Sequence, residues 1–312
     1  MKRAIVCGGA GFVGSAVVKE LLANHTEVTV IVRPGFLEKM EQSRLAGLDV
    51  AVLECDIKDI GQIKNRIKAP VFDVWYQFAW DGLLGEPLVD YTTQIMNIKW
   101  VMDAIVTAAE LNCKKFIGSG SITQFELLVD GTGDLYDKHR IYKTAKMACE
   151  YIGCSVASEH KIEFIWPIIT NIYGPGEFSP RLINSMIQNL LSGKHQYLSE
   201  GKQYYDFIYI SDAAKAFRLI GEYGKSGRSY TIASGTVKPL KEFLTELAAL
   251  VAPKTELVFG EFSFKGVSLR KEMYSIRELQ EDTGFTPEVS FADGIRRTME
   301  WIERAMNNEM DP

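Results

Sequence analysis

Between Met1 and about Pro167, short apolar runs rich in β-branched residues alternate with longer amphipathic stretches. A chain patterned this way has few options. Runs that are apolar on both faces demand cover on both faces, which a parallel sheet with crossover helices provides. The strand expectations are 4–7, 27–32, 49–54, 71–78, 115–119 and 163–167, with helices beginning near Gly11, Phe36, Ile60, Leu88 and Lys138. After Asn171 the punctuation changes. Tyr173-Gly174-Pro175-Gly176 is a turn cluster, and the chain beyond it mixes helices with shorter strand-like pieces. The run 207–210, followed by Ser211-Asp212 as a helix cap, reads as a strand that returns the chain to the first lobe. The expected organisation is α/β: a dinucleotide-binding domain over 1–171, rejoined by 206–236, and a smaller α/β substrate lobe from 172–205 and 237–312.

Composition narrows the classes. The 312 residues are 46% hydrophobic, enough for one large core or two unequal ones. A net charge of −5, with Lys and Arg scattered, argues against nucleic acid and for a small-molecule partner. No apolar run approaches the roughly 20 residues needed to span a bilayer, and Met1 leads straight into a strand-like segment, so a cytoplasmic protein without membrane contact is expected. The five cysteines, Cys7, Cys55, Cys113, Cys149 and Cys154, include no Cys-x-x-Cys pair and suggest neither a disulfide framework nor a zinc site. His25, His139, His160 and His195 share no spacing, and no metal is expected.

Gly8-Gly9-Ala10-Gly11-Phe12-Val13-Gly14 follows the first strand and opens the first helix, the context a dinucleotide pyrophosphate needs. Glycine lets the chain turn and lets backbone approach phosphate, and the helix N-terminus presents free N–H groups. The sheet is therefore expected to be of the Rossmann-type, doubly wound. At the end of the second strand stands Val30-Ile31-Val32-Arg33-Pro34. No carboxylate is present there to hold the adenosine ribose, and Arg33 can pair with a 2′-phosphate, so NADP(H) is preferred over NAD(H). Asp56-Ile57, after the third strand, can reach the adenine.

Tyr142 and Lys146 are four residues apart and project from one helix face. A lysine charge about 5 Å from the phenol is worth roughly 3 kcal/mol at an effective dielectric of about 20, or about two pKa units. Tyr142 would then move a proton near neutral pH. Ser121, in the hydroxyl-rich end of the fifth strand, is placed to hold a substrate oxygen at the carboxyl edge of the sheet. The competing reading of that serine is a turn cap.

Together these residues resemble the extended short-chain dehydrogenases/reductases, the sugar-nucleotide epimerase/dehydratase family. The resemblance covers nearly the whole chain: the glycine turn, Asp56-Ile57, Gln77-Phe78-Ala79-Trp80, Asn97, Ser121, Tyr142 with Lys146, Asn171-Ile172-Tyr173-Gly174-Pro175-Gly176, the segment 205–212 and Gly284-Phe285-Thr286-Pro287. It implies that Phe78, Ala79, Trp80, Asn97 and Thr170 lie along the cofactor and that Lys146 also holds the nicotinamide ribose. It puts Asn171 on the substrate side, with Trp80 and Ser121 beside it. Dehydratases of the family carry Asp-Glu where this chain has Ile122-Thr123, which leaves keto reduction or epimerisation. Ala79-Trp80-Asp81-Gly82 and Gln124-Phe125 are similar to nucleotide-deoxyhexose ketoreductases of the abequose-synthase type. Tyr205 and Ile168 stand where the family often has arginines, so Arg270 or Lys202 is expected to supply the charge for the nucleotide. The resemblance also implies a homodimer built on helices within 88–111 and 138–159, and the span 127–137 reads as a flap. A non-catalytic dinucleotide-binding sensor and a reductase of apolar carbonyl compounds are the remaining alternatives.

Overall fold

The computed structural model describes residues 1–67, 71–129 and 136–307. The expected flap at 127–137 and the expected frayed tail at 307–312 fall largely outside these residues. In chain order the first half runs β1 (Arg3–Cys7), α1 (Phe12–Ala23), β2 (Glu27–Val32), β3 (Ala51–Glu54), β4 (Val74–Gln77), α2 (Glu86–Val89), α3 (Tyr91–Glu110), β5 (Lys115–Ile117), α4 (Arg140–Glu159) and β6 (Glu163–Ile165). These strands form one parallel sheet in the order β3-β2-β1-β4-β5-β6. The winding reverses between β1 and β4, which opens a crevice at their carboxyl ends.

Side-chain alternation assigns the two faces. Ala4, Val6, Val30, Val74, Tyr76, Ile117 and Ile165 pack with Val17, Val18 and Leu21 of α1. Ile5, Cys7, Ile31, Trp75, Phe116 and Phe164 pack with Val101, Ala104 and Ile105 of α3 and Cys149 of α4. Both faces are covered, so a one-residue register slip would exchange large side chains for small ones throughout. Truncating fully buried Phe116 to alanine costs about 3–5 kcal/mol by this packing.

The second half adds β7 (Ile168–Ile169), β8 (Asn171–Tyr173), α5 (Leu182–Leu191), β9 (Tyr204–Tyr205), β10 (Phe207–Tyr209), α6 (Ile210–Tyr223), β11 (Thr231–Ile232), β12 (Lys238–Pro239), α7 (Leu240–Val251), α8 (Arg277–Thr283) and α9 (Phe291–Met306). The run expected at 207–210 is a strand, but it pairs with β8 in a small separate sheet. The return to the first half is made by α6, whose Ala213, Phe217 and Ile220 join the core beside α1. Arg218 ties α6 to Glu20 of α1 at 2.7 Å. Buried Lys115 of β5 donates to the last carbonyls of the helix, Gly221 O at 3.2 Å and Gly224 O at 2.7 Å, where the helix dipole favours a cation.

Three local expectations are corrected. The segments near Phe36 and Ile60 are 3-10 turns, Leu37–Gln42 and Ile57–Asn65, rather than α-helices. The first buries no side chain, so no packing offsets the cost of a longer helix. Ser211-Asp212 does not cap α6, which starts at Ile210; the Asp212 carboxylate instead accepts the N–H groups of Glu288 (3.1 Å) and Val289 (3.0 Å). It thereby anchors the strip after Gly284-Phe285-Thr286-Pro287 against the core. Among the described residues no helix is long and apolar enough to cross a membrane.

Candidate active site

The glycine turn sits at the β1 end of the crevice, and steric demand explains two of its glycines. Gly8 has φ +83°, and a Cβ there would lie 2.5 Å from Ala79 N, because the exit of β4 folds back to donate from Phe78 and Ala79 to Cys7 O. A Cβ on Gly14 would overlap the Gly8 carbonyl oxygen. Gly11 differs: its Cβ would meet only Gly8 O, at 3.3 Å. It leaves the N-terminus of α1 without a side-chain cap, and no acidic residue occupies the first turn. A bare helix N-terminus beside exposed Gly11 fits a diphosphate.

A cavity of about 1840 Å³ opens there. Its wall includes Gly8, Gly11 and Phe12 from the turn, Arg33 at the end of β2, Asp56 and Ile57 after β3, and Phe78, Ala79 and Trp80 after β4. Val13 and Gly14 lie behind that wall. The Asp56 carboxylate caps its own turn through Lys58 N at 3.1 Å while still bordering the cavity. Arg44, which carried no sequence signal, also lines this space. It donates to Ala10 O at 3.1 Å and to Gly176 O at 2.5 Å, and its guanidinium lies over the Phe178 ring at 5.2 Å. Burial draws its pKa down while the charge of Glu177 holds it up. Arg44 therefore clamps the glycine turn to the Gly174–Gly176 loop.

Asn97 is fully buried beneath the β4 loop. Its amide donates to Asp81 O at 2.8 Å and its oxygen accepts Asp81 N at 2.9 Å, so it shapes the Ala79–Gly82 wall from below. Gln94 supports the same loop by accepting Trp80 Nε1 at 3.0 Å. Thr170, expected at the cofactor, is buried with its hydroxyl donating to Ile232 O at 2.9 Å and does not line the cavity.

Ser121, Tyr142 and Lys146 converge beside Trp80. The Ser121 side chain is close enough to the Tyr142 hydroxyl to draw its pKa down. Ser121 does cap the next turn of the chain: it forms a capping box with Gln124, and its Oγ lies 2.9 Å from Thr123 Oγ1. The turn-cap reading of this serine is therefore realised. Gln124 takes Ser121 N–H at 3.2 Å and passes its own N–H to Glu150 at 2.5 Å, a support that sequence reading missed.

The expected effect of Lys146 on the phenol is corrected. Lys146 Nζ donates to Ser119 O at 2.8 Å and lies 3.6 Å from the centre of the Trp80 ring, but 5.8 Å from that of Tyr142. Burial pushes the Tyr142 pKa up; the Ser121 side chain and the charge of Arg181 pull the other way. Burial pulls the Lys146 ammonium down to about 7. Trp80 meets Tyr142 edge-on, centroids 6.0 Å apart. The arrangement offers a protonated phenol beside a serine, with a neighbouring lysine that changes charge near neutral pH.

A second cavity, of about 220 Å³, lies between β8, β9 and the start of α5. Asn171 and Tyr205 line it, with Asn171 Nδ2 donating to Asp206 O at 3.0 Å and Tyr205 stacked on Phe207. Arg270 and Lys202 do not reach it: Arg270 is exposed and lines neither cavity, and Lys202 pairs with Glu200 on the surface. The cation in this wall is Arg181, whose charge reaches Tyr142. Among the described residues no group of three or more His, Cys, Asp or Glu side chains is placed to hold a metal.

Comparison with known proteins accords with this geometry. Residues 4–233 match the model of the NAD dependent epimerase/dehydratase family. A dTDP-glucose 4,6-dehydratase of Neisseria gonorrhoeae is 25% identical, with 96% of this chain and 95% of the relative covered. A UDP-N-acetyl-alpha-D-glucosaminuronate decarboxylase of Bacillus cytotoxicus is 24% identical, over 98% of this chain and 99% of the relative. Among solved structures, the UDP-N-acetylglucosamine 4-epimerase of Methanobrevibacter ruminantium shares the fold with a TM-score of 0.80 and 21% identity, covering 98% of this chain and 99% of that one. The Bordetella bronchiseptica enzyme WbmF, solved in complex with NADH, does so with a TM-score of 0.78 and 21% identity, covering 98% and 93%. With its parallel sheet, glycine turn and Ser121–Tyr142–Lys146 cluster, the chain belongs to the NAD dependent epimerase/dehydratase family, among sugar-nucleotide enzymes of the extended short-chain dehydrogenase/reductase superfamily.

Proposed function

We propose that the protein is an NADP(H)-dependent reductase of a keto group on a nucleotide-linked deoxysugar. The observation that carries the reading is the grouping of Ser121, Tyr142 and Lys146 beside Trp80, with Ile122-Thr123 standing where dehydratases need a carboxylate acid and base. Thr123 instead places its hydroxyl on Ser121. When bound, the nicotinamide supplies or accepts the hydride. Gly8, Gly11 and Phe12 would hold its pyrophosphate, Asp56 and Ile57 its adenine, Arg33 a 2′-phosphate, and Phe78, Ala79 and Trp80 the rest of its length. Ser121 orients the substrate carbonyl oxygen, and Tyr142, kept protonated by burial, delivers the proton to it. Lys146 holds the ribose.

Calorimetry with NADPH and NADH, then a screen of keto-sugar nucleotides followed by reduced-nicotinamide absorbance, tests this. NADPH is expected to bind about ten-fold more tightly than NADH, and Arg33→Ala to erase most of that difference. Equal affinity for the two cofactors would remove the NADP(H) assignment. Epimerisation is the second reading, favoured by a trio that serves oxidation and reduction alike; tightly held NAD(H) and sugar inversion without net oxidation would establish it. Cofactor binding with no turnover of any sugar nucleotide would leave a non-catalytic binder.

We further propose a homodimer through α3 and α4, on which Tyr91, Ile95, Tyr151 and Ile152 are exposed. A monomer by light scattering at micromolar concentration would overturn it. A cytoplasmic location agrees with five cysteines that all stand as free thiols.

A further inference from the structure

Tyr142, Lys146 and Glu150 follow one another at four-residue spacing on α4 and share one face of the helix. All three reach the segment that leaves β5. Tyr142 stands by the Ser121 side chain and Lys146 Nζ donates to Ser119 O, while Glu150 meets the segment through Gln124, whose Nε2 donates to its carboxylate at 2.5 Å. Burial pushes the Glu150 carboxyl up, and the group that pulls it back is the Gln124 amide, not a cation. Gln124 itself is 1% exposed, and its Oε1 accepts Ser121 N–H at 3.2 Å. A glutamine amide fits its space either way round; an acceptor-only carboxylate on one side and an N–H on the other fix which end faces Ser121. The floor of the segment is equally tight. A Cβ on Gly120 would lie 2.8 Å from Trp166 Nε1 and 2.9 Å from Gln124 Oε1, and one on Gly118 would overlap the Trp166 ring.

We propose that Glu150 and Gln124 are positioning residues for Ser121: the carboxylate orients the amide, and the amide holds the Ser121 backbone where its hydroxyl meets both Tyr142 and the substrate oxygen. The proposal rests on the reading of Ser121 and Tyr142 as the groups that act on the carbonyl. Burying a glutamine and part of a carboxylate without a cation costs stability that an apolar pair would not, so the pair serves something other than packing. Ser121 needs the support because its Oγ has a competing partner in Thr123 Oγ1, at 2.9 Å. A hydroxyl misplaced by about 1 Å from its working position costs up to about 100-fold in rate. Neither Gln124 nor Glu150 touches the reacting atoms; each acts through the next.

The test compares the full-length protein with Glu150→Met, Gln124→Met, the two changes together, and Glu150→Gln, which keeps an acceptor oxygen for the Gln124 amide. Turnover is followed with the keto-sugar nucleotide reduced fastest in the screen. Glu150→Met and Gln124→Met should each lower kcat about 10- to 100-fold, with KM and NADPH affinity within about two-fold. The double change should cost no more than Gln124→Met alone, because Glu150 acts through Gln124. Glu150→Gln should recover most of the loss. An unchanged kcat in Glu150→Met, or losses that multiply in the double change, overturns the assignment. Amide hydrogen exchange of Ser121, read by NMR without substrate, gives the second measurement: it should quicken in Glu150→Met and Gln124→Met and stay slow in Glu150→Gln. Exchange that stays slow in Glu150→Met overturns the positioning role whether or not any keto-sugar nucleotide is turned over. Quickened exchange in an unaltered-inactive protein would uphold the support of Ser121 and overturn the reductase reading alone.

Discussion

The two cavities are built from different material. The large one is shaped chiefly by backbone: a left-handed Gly8, a Gly14 with no room for a side chain, and the bare N-terminus of α1. The small one is made of side chains from four separate segments, namely Asn171, Glu177, the Arg181–Asn184 turn and Tyr205. Backbone binding suits a ligand common to a whole family, since its geometry survives substitution of the surrounding residues. Side-chain binding suits the variable part of the substrate. The Gly174–Arg181 loop touches both, holding Arg44 through Gly176 and presenting Glu177 and Arg181 to the small cavity.

The largest expected effect falls on the Ser121–Tyr142–Lys146 cluster, whose residues are in the wall of neither cavity. Tyr142→Phe should lower kcat by about 10²- to 10⁴-fold with cofactor affinity nearly unchanged. A matching loss of cofactor binding would assign Tyr142 to the backbone-built side and break the division.

Lys146 sharpens the comparison through pH. Its folded pKa, about 7, lies below the unfolded value of about 10.4, so between these values the unfolded chain holds more protons and stability rises with pH. The burden of the buried charge is fully present below about pH 7 and is lost above about pH 10. Lys146→Met should therefore stabilise the fold by about 1–4 kcal/mol at low pH, with the gain shrinking as pH rises. Urea melts across that range read the difference, and a pH-independent gap would contradict a buried ammonium.

Within the backbone-built cavity, Gly14→Ala should cost stability, about 1–3 kcal/mol, as well as cofactor affinity. Gly11→Ala should cost less stability than Gly14→Ala and lower cofactor affinity, because its Cβ meets only Gly8 O, at 3.3 Å, and Gly11 lines the cavity. Parallel melts and cofactor titrations would show whether the two glycines separate in this way. The smallest effect belongs to Arg270→Ala and Lys202→Ala, exposed and lining neither cavity, with KM for a sugar nucleotide changing by less than about two-fold. A larger change would bring one of these cations into the substrate site.

Legibility divides along the same line. The strand expected at 27–32 coincides with β2, and the glycine turn falls between β1 and α1, because both signals lie within a few consecutive residues. The helical pair Tyr142 and Lys146 is equally local. Arg44 is invisible in the sequence because its partners, Ala10 and Gly176, are 34 and 132 residues away. The choice of Arg270 and Lys202 for the substrate charge fails for the same reason: nothing local marks which of many surface cations faces a cavity. The 3-10 turn at Leu37–Gln42 escapes because its apolar residues find no core to pack on.

Periodicity and glycine placement determined the parallel sheet, the phosphate turn and the shared face of Tyr142 and Lys146, since each is a matter of backbone geometry over a few residues. Burial and long-range packing decided the rest. They turned Lys146 toward Ser119 and the Trp80 face, raised the phenol of Tyr142 where a neighbouring lysine alone would have lowered it, and placed Arg181 rather than Arg270 at the small cavity. A charge takes its energy from the dielectric and the partners around it, and those are set only when distant segments meet.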